Sequence, residues 1–212
     1  MRCIVTAGPT YESLDGVRRL TNFSTGRLGT ELTNFLESKG HEVQLLRGEL
    51  ASYRLGAAEI FTTTSDLRER LAASAGQPVN AVFHAAAVND FGFGRVWARS
   101  AEGELKELKS GKYSSREGTL LAELVPTPKV IAELRQWFPT ARLVGWKYEV
   151  DGTREDVIRE AEKQLATCLT DACVANGPAY GEGFGLVQGG GDVKHLKDKA
   201  ALFEALEKFA RS

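Results

Sequence analysis

The sequence predicts a three-layer α/β fold in which a parallel sheet is covered by helices on both faces. β-Branched apolar runs alternate with stretches of helical spacing along most of the 212 residues. The runs are continuously apolar, as strands buried on both faces are. Gly8-Pro9 and Gly40 stand where a strand opens into a loop and where a helix stops.

The first strand is Cys3-Ile4-Val5-Thr6-Ala7, and it ends at the turn Gly8-Pro9-Thr10. Leu28, Leu32, Phe35 and Leu36 then recur at helical spacing, and residues 41–46 read as a second strand. Residues 59–62 form a strand, residues 65–75 a helix with Ser65 as N-cap, and residues 81–87 a small-residue apolar strand. Residues 127–137, 141–146, 152–169, 172–175 and 199–210 carry the alternation onward. Two stretches break it. Residues 88–118, roughly 30 in number, are polar and rich in glycine and serine, which predicts a flap, a subunit-contact arm or a mobile loop. Residues 176–191 are glycine-rich and predict a turn and a small C-terminal hairpin. The expected whole is one Rossmann-like, nucleotide-binding domain over residues 1–212.

Composition excludes several classes. Lys and Arg total 27 against 28 Asp and Glu, a net charge of -1, so no global field draws a nucleic acid or an anionic membrane. With 42% hydrophobic and 26% charged residues the chain reads as an ordinary globular protein. Cys3, Cys168 and Cys173 lie in apolar runs with no metal-ligand spacing and read as reduced core thiols. Neither a signal peptide nor an apolar run of about 20 residues is present, and a cytoplasmic location is expected.

In open α/β sheets ligands collect beyond the carboxyl ends of the strands. Three such ends carry unusual residues: Gly8-Pro9-Thr10, Ala85 to Asp90, and Val174 to Gly177. Ser24-Thr25-Gly26 precedes the first helix, where backbone N–H groups and the helix dipole favour a phosphate; an ordinary Ser/Thr N-cap accounts for it equally well. Ala85, Ala86 and Ala87 would let a flat ligand lie on the backbone, with Asp90 accepting from a base or ribose, although tight helix packing explains small residues too. Lys112 sits in a loop that can fold over a phosphate. Arg18, Arg19 and Lys147 alone read as solvated cations, and His41 and His84 as packed strand histidines.

Taken in order, the segments resemble the phosphopantothenate-cysteine ligase family, over nearly the whole chain. Val5 to Thr10, followed by Asp15, Val17, Arg18 and Thr21 to Gly29, is similar to the family's glycine turn and Asn-x-Ser-Ser/Thr-Gly motif. Ala85 to Phe91 resembles its alanine-rich strand end, Lys112 to Ser115 its lysine segment, and Leu124 to Pro128 its proline segment. Val144 to Lys147, Lys163 and Val174 to Asn176 complete the colinear set.

The resemblance implies a ligase that joins 4'-phosphopantothenate to L-cysteine through an acyl nucleotide in coenzyme A biosynthesis. It consumes CTP or ATP with Mg2+ and releases pyrophosphate. By position, Gly8, Thr10, Ser24, Thr25, Gly26, Ala86, Ala87, Asp90, Lys112, Val125, Pro128, Trp146 and Lys163 are implied to bind the nucleotide. Asn22 is implied to position the acyl group, Lys112 to neutralise the reacting phosphate, and Arg18 to hold the acidic substrate. A homodimer and a stand-alone form lacking the flavin-dependent decarboxylase are also implied, with no FMN.

Some positions depart from the family pattern. Pro9 replaces the second glycine of the turn, Gly177 stands where aspartate is common, Phe23 where histidine is common, and Asn89 where alanine or serine is usual; these bear on the substrate more than on the nucleotide site. A short-chain NAD(P)-dependent reductase is a second reading, since Thr25-Gly26 precedes a helix. Against it, no Gly-x-Gly-x-x-Gly follows the first strand, and none of Tyr11, Tyr53, Tyr113, Tyr148 or Tyr180 has lysine four residues on. A nucleotide-binding domain without catalysis is the third.

Overall fold

A computed structural model describes residues 1–212, the side chain of Glu117 excepted. Along the chain run β1 (Arg2–Ala7), β2 (Tyr11–Ser13), β3 (Arg19–Thr21), α1 (Arg27–Ser38), β4 (Glu42–Gly48), β5 (Glu59–Phe61), α2 (Thr64–Ala73) and β6 (Ala81–His84). There follow β7 (Phe91–Arg99), β8 (Leu105–Leu108), β9 (Thr119–Pro126), α3 (Val130–Trp137), β10 (Arg142–Tyr148), α4 (Arg154–Cys168), β11 (Ala172–Asn176), β12 (Phe184–Gln188), β13 (Val193–Leu196) and α5 (Lys199–Arg211).

The central sheet has eight strands in the order β13-β12-β11-β10-β6-β1-β4-β5. From β11 to β5 the pairing is parallel, as the apolar runs predict. The glycine-rich hairpin adds β12 and β13 antiparallel at one edge, so the sheet is mixed. Alternate residues of β1 enter different cores. Cys3, Val5 and Ala7 cluster with Leu32 and Leu36 of α1 and with Leu202 and Leu206 of α5. Ile4 clusters with Leu67 and Leu71 of α2 and with Ile131 and Leu134 of α3. This two-sided burial is the reason the strand shows no polar alternation. Among the described residues no helix is long and apolar enough to cross a membrane.

Helix starts differ from the sequence expectation at two places. Thr63, not Ser65, caps α2 by accepting the Asp66 N–H at 3.1 Å. α3 begins at Val130 rather than at residue 127, because a residue before proline is driven out of the helical region and Pro128 follows Thr127.

Residues 88–118, expected as a flap, a subunit-contact arm or a mobile loop, are built largely of regular strands. They fold with the following segment into a second, antiparallel sheet in the order β8-β7-β9, in which Phe91 pairs with Pro126 and Arg99 with Thr119. β2 and β3 form a separate hairpin beside it.

Candidate active site

β1 leads through α1 toward β4 on one side, while β6 leads toward β10 on the other, so the strand order reverses between β1 and β6. A cleft of about 790 Å³ opens at the carboxyl ends of these strands, the place where such sheets bind ligands. One wall is residues 22–29 and the start of α1; the opposite wall is residues 128–131 and the end of β10. Ala85 to Asp90 run along the floor.

The α1 terminus is built for an anion. Its N-cap is Gly26 at φ +75°, a left-handed conformation that glycine adopts without strain, and no side chain caps it. Ser24 and Thr25 stand just outside, with the Thr25 hydroxyl accepting the Arg27 N–H at 3.3 Å. No acidic residue occupies the first turn, so the positive end of the helix dipole faces the cleft uncompensated.

The floor is held from below by two threonines. Thr6 Oγ1 accepts the Ala86 N–H at 3.1 Å and lies 3.0 Å from His84 Nδ1. Burial pushes the His84 pKa down to about 4, with the Lys129 charge adding to it, so the ring is neutral at pH 7. Thr6 Oγ1 and His84 Nδ1 share one hydrogen, and Thr6 can be its donor or its acceptor. Thr10 Oγ1 accepts the Asn89 N–H at 2.8 Å. Pro9 bridges Ala87 as an extra rung of the β1–β6 pairing. The two bonds of that rung run from Ala87 N–H to the Gly8 carbonyl and from Thr10 N–H to the Ala87 carbonyl, so they do not need an N–H on residue 9.

Asn22 leans across the floor with Nδ2 donating to the Ala87 carbonyl at 3.2 Å. Cations and anions alternate around the rim: Lys129 Nζ is 3.2 Å from Asp90 Oδ1, and Lys147 Nζ is 3.6 Å from Glu149 Oε1. The Trp146 indole Nε1 and the Asn176 Oδ1 are buried without a hydrogen-bond partner, and both residues line the cleft. Burial pushes the Cys3 thiol up to about 11 and the Cys173 thiol up to about 12, so neither is a thiolate at neutral pH.

Of the residues singled out by sequence, Asn22, Ser24, Thr25, Gly26, Ala86, Ala87, Asp90, Pro128 and Trp146 meet in this cleft. Gly8 and Thr10 lie behind its floor and act on it through Ala87 and Asn89. Val125 lies outside the lining, on β9 opposite Gly92. Lys163 points to solvent near Glu160, since one residue along α4 turns the side chain by about 100°. Gln164 is the α4 residue that reaches the cleft. Arg18 is engaged with Asp15, and the Lys112 loop packs against that same hairpin instead of over the cleft. Lys129 and Gln164 had no place among the sequence candidates, whereas Asn176 closes the strand end 174–177 singled out by sequence and lines the cleft. Gln164 carried one legible signal, a polar residue in the buried 157-161-164-168 stripe of α4.

A family model described as DNA/pantothenate metabolism flavoprotein C-terminal domain matches residues 1–208. A curated relative, the coenzyme A biosynthesis bifunctional protein CoaBC of Thermococcus kodakarensis, is 34% identical over 177 residues, which cover 82% of this chain and 41% of the relative. The chain therefore spans less than half of that protein's length. The crystal structure of the DNA/pantothenate metabolism flavoprotein from Streptococcus pneumoniae matches with a TM-score of 0.85 and 26% identity, covering 100% of this chain and 98% of that one. The C-terminal domain of a coenzyme A biosynthesis bifunctional protein CoaBC matches with a TM-score of 0.73 and 25% identity, over 99% and 94% of the two chains.

Proposed function

The chain belongs to the DNA/pantothenate metabolism flavoprotein C-terminal domain family, and from that premise we propose that it is a ligase joining 4'-phosphopantothenate to L-cysteine in coenzyme A biosynthesis. The observation that carries this reading is the convergence of the uncapped α1 terminus, Asn22 and the Ala85–Asp90 floor on one cleft.

The reaction has two halves. The carboxylate of 4'-phosphopantothenate attacks the α-phosphate of CTP or ATP, forming an acyl-phosphate bond and breaking the bond to pyrophosphate. The amine of cysteine then attacks the acyl carbon, forming the amide, releasing the nucleoside monophosphate and losing a proton. Two anions must meet in the first half, which calls for positioned donors and cations more than for a protein nucleophile.

Ser24, Thr25 and Gly26 cradle phosphate at the α1 terminus, and Ala86, Ala87, Asp90, Pro128 and Trp146 hold the nucleoside. Asn22 orients the acyl oxygen, and Lys112, which lies outside the cleft lining but has an exposed and flexible side chain, swings in to supply the cation at the reacting phosphate. Magnesium neutralises the triphosphate. FMN has no part in this reading, and residues 1–212 act as one catalytic unit, paired as a homodimer.

The test is pyrophosphate release from CTP and from ATP on adding 4'-phosphopantothenate and cysteine. Release that depends on the acid supports the ligase; no release with either nucleotide leaves a binding domain without catalysis. Light scattering at a monomer mass would overturn the dimer.

A further inference from the structure

The loop carrying Lys112 is clasped on both sides of that residue. Before it, the Gly111 carbonyl accepts the Gly16 N–H at 2.9 Å; after it, the Tyr113 N–H donates to Asp15 Oδ2 at 3.2 Å. The Tyr113 carbonyl accepts Arg18 Nη2 at 2.7 Å. Ser110 Oγ donates to the Lys112 carbonyl at 2.8 Å and tightens the turn. Lys112 is thus left with a fixed backbone and an exposed side chain.

Asp15 is the hub of this clasp. Its Oδ1 accepts the N–H groups of Val17 and Arg18 at 2.9 and 2.8 Å, and its Oδ2 accepts Arg18 Nε at 3.0 Å and Nη2 besides Tyr113. The carboxylate is fully covered. Arg18 first, then the backbone donors, hold it well below the usual carboxylate range, so it stays ionised. Gly16 completes the contact, since a Cβ there would sit 2.9 Å from the Gly111 oxygen.

Asp15 and Arg18 belong to the connection between β2 and β3, and β3 runs straight into Asn22. One hairpin therefore carries Asn22 at its exit and holds the Lys112 turn at its tip. We propose that Asp15 is a positioning residue that fixes the Lys112 loop relative to Asn22, an inference that rests on the ligase reading for what the two residues then do. Arg18 serves this clasp, with Asp15 and Tyr113 as its partners.

The experiment uses the full chain with Asp15→Asn and, as a second route to the same contact, Gly16→Ala. Three quantities are read: the melting temperature, the tryptic cleavage rate after Lys112 under native conditions, and the kcat and KM of pyrophosphate release. The bond trypsin cuts is the one whose N–H Asp15 holds, so cleavage is expected to accelerate by about fivefold or more, the scale of one lost charge-assisted hydrogen bond. Turnover is expected to fall by about tenfold or more with the nucleotide KM within roughly threefold, as misplacement of a reacting group predicts. Asp15→Asn combined with Lys112→Gln is expected to be no slower than Lys112→Gln alone, because Asp15 acts through Lys112. Wild-type cleavage rates in both variants would overturn the clasp. Faster cleavage with unchanged kcat, or additive losses in the double variant, would overturn the positioning role. If the wild-type chain releases no pyrophosphate, the ligase reading falls, and the cleavage rates still decide the clasp.

Discussion

Acidification should weaken the fold through His84. The residue is buried beneath the cleft floor, where Thr6 Oγ1 faces its Nδ1, and its pKa in the fold is about 4 against 6.5 in an unfolded chain. Between these two values the unfolded chain binds a proton that the folded one refuses. Stability is therefore fully present above pH 6.5 and is lost as pH falls toward 4. At 1.36 kcal/mol per pKa unit, the whole interval corresponds to about 3 kcal/mol. Carboxylates held by ion pairs, such as Glu31, Glu133 and Glu207, lose stability over part of the same range, so the wild-type slope alone does not isolate the histidine. The comparison is with His84→Gln, whose amide oxygen can still accept from Thr6. Denaturant unfolding at pH 7 and pH 4.5 should show a loss about 2 kcal/mol smaller in the variant than in the wild type. Equal losses in the two proteins would refute a neutral buried His84.

Three further outcomes follow from named contacts. Lys112→Gln should slow nucleotide-dependent activation by about 100-fold or more while leaving the melting temperature within about 2 °C, since Lys112 is exposed; wild-type turnover would remove it from the mechanism. Asn22→Asp should fold normally and stall product formation, because a carboxylate beside the Ala87 carbonyl loses the Nδ2 donor and adds charge where an acyl oxygen would bind; chromatographic detection of product at the wild-type rate would sink that role. Gly177→Asp should cost about 2–4 kcal/mol, seen as a melting point lower by roughly 5–10 °C. At φ +111°, a Cβ there would meet the Glu149 carbonyl oxygen at 2.5 Å; an unchanged melting point would refute the strain.

The alternation that marks the parallel sheet was legible because each central strand is buried on both faces and each helix shows one apolar stripe. Residues 88–118 were not legible for the opposite reason. β7 and β9 are long but, like β8, largely exposed, so their glycines and charged residues carry little period-two signal. Within the site, Ala85 to Asp90 were found because they follow a strand end, where topology predicts ligands, Ser24 to Gly26 because they precede a helix, and Asn22 only through the family resemblance. Lys129 and Gln164 were missed because their entry into the cleft depends on how α3 and α4 dock. The Lys112 loop was expected over phosphate; its neighbours instead hydrogen-bond to Asp15, Gly16 and Arg18, nearly a hundred residues earlier in sequence.

β6 and β10 are adjacent in the central sheet, yet the entire β7–β9 segment lies between them in the chain. The pairing of Phe91 with Pro126 draws the ends of that insertion together. Once it has formed, the loop that must close to join Ala81 to Arg142 is less than half as long, which by chain-closure entropy lowers its cost by about 0.7 kcal/mol. The small sheet then acts as a kinetic splint for the large one. Replacing Phe91 by serine should slow refolding more than it speeds unfolding in stopped-flow measurements, and the reverse partition would show that the central strands meet first.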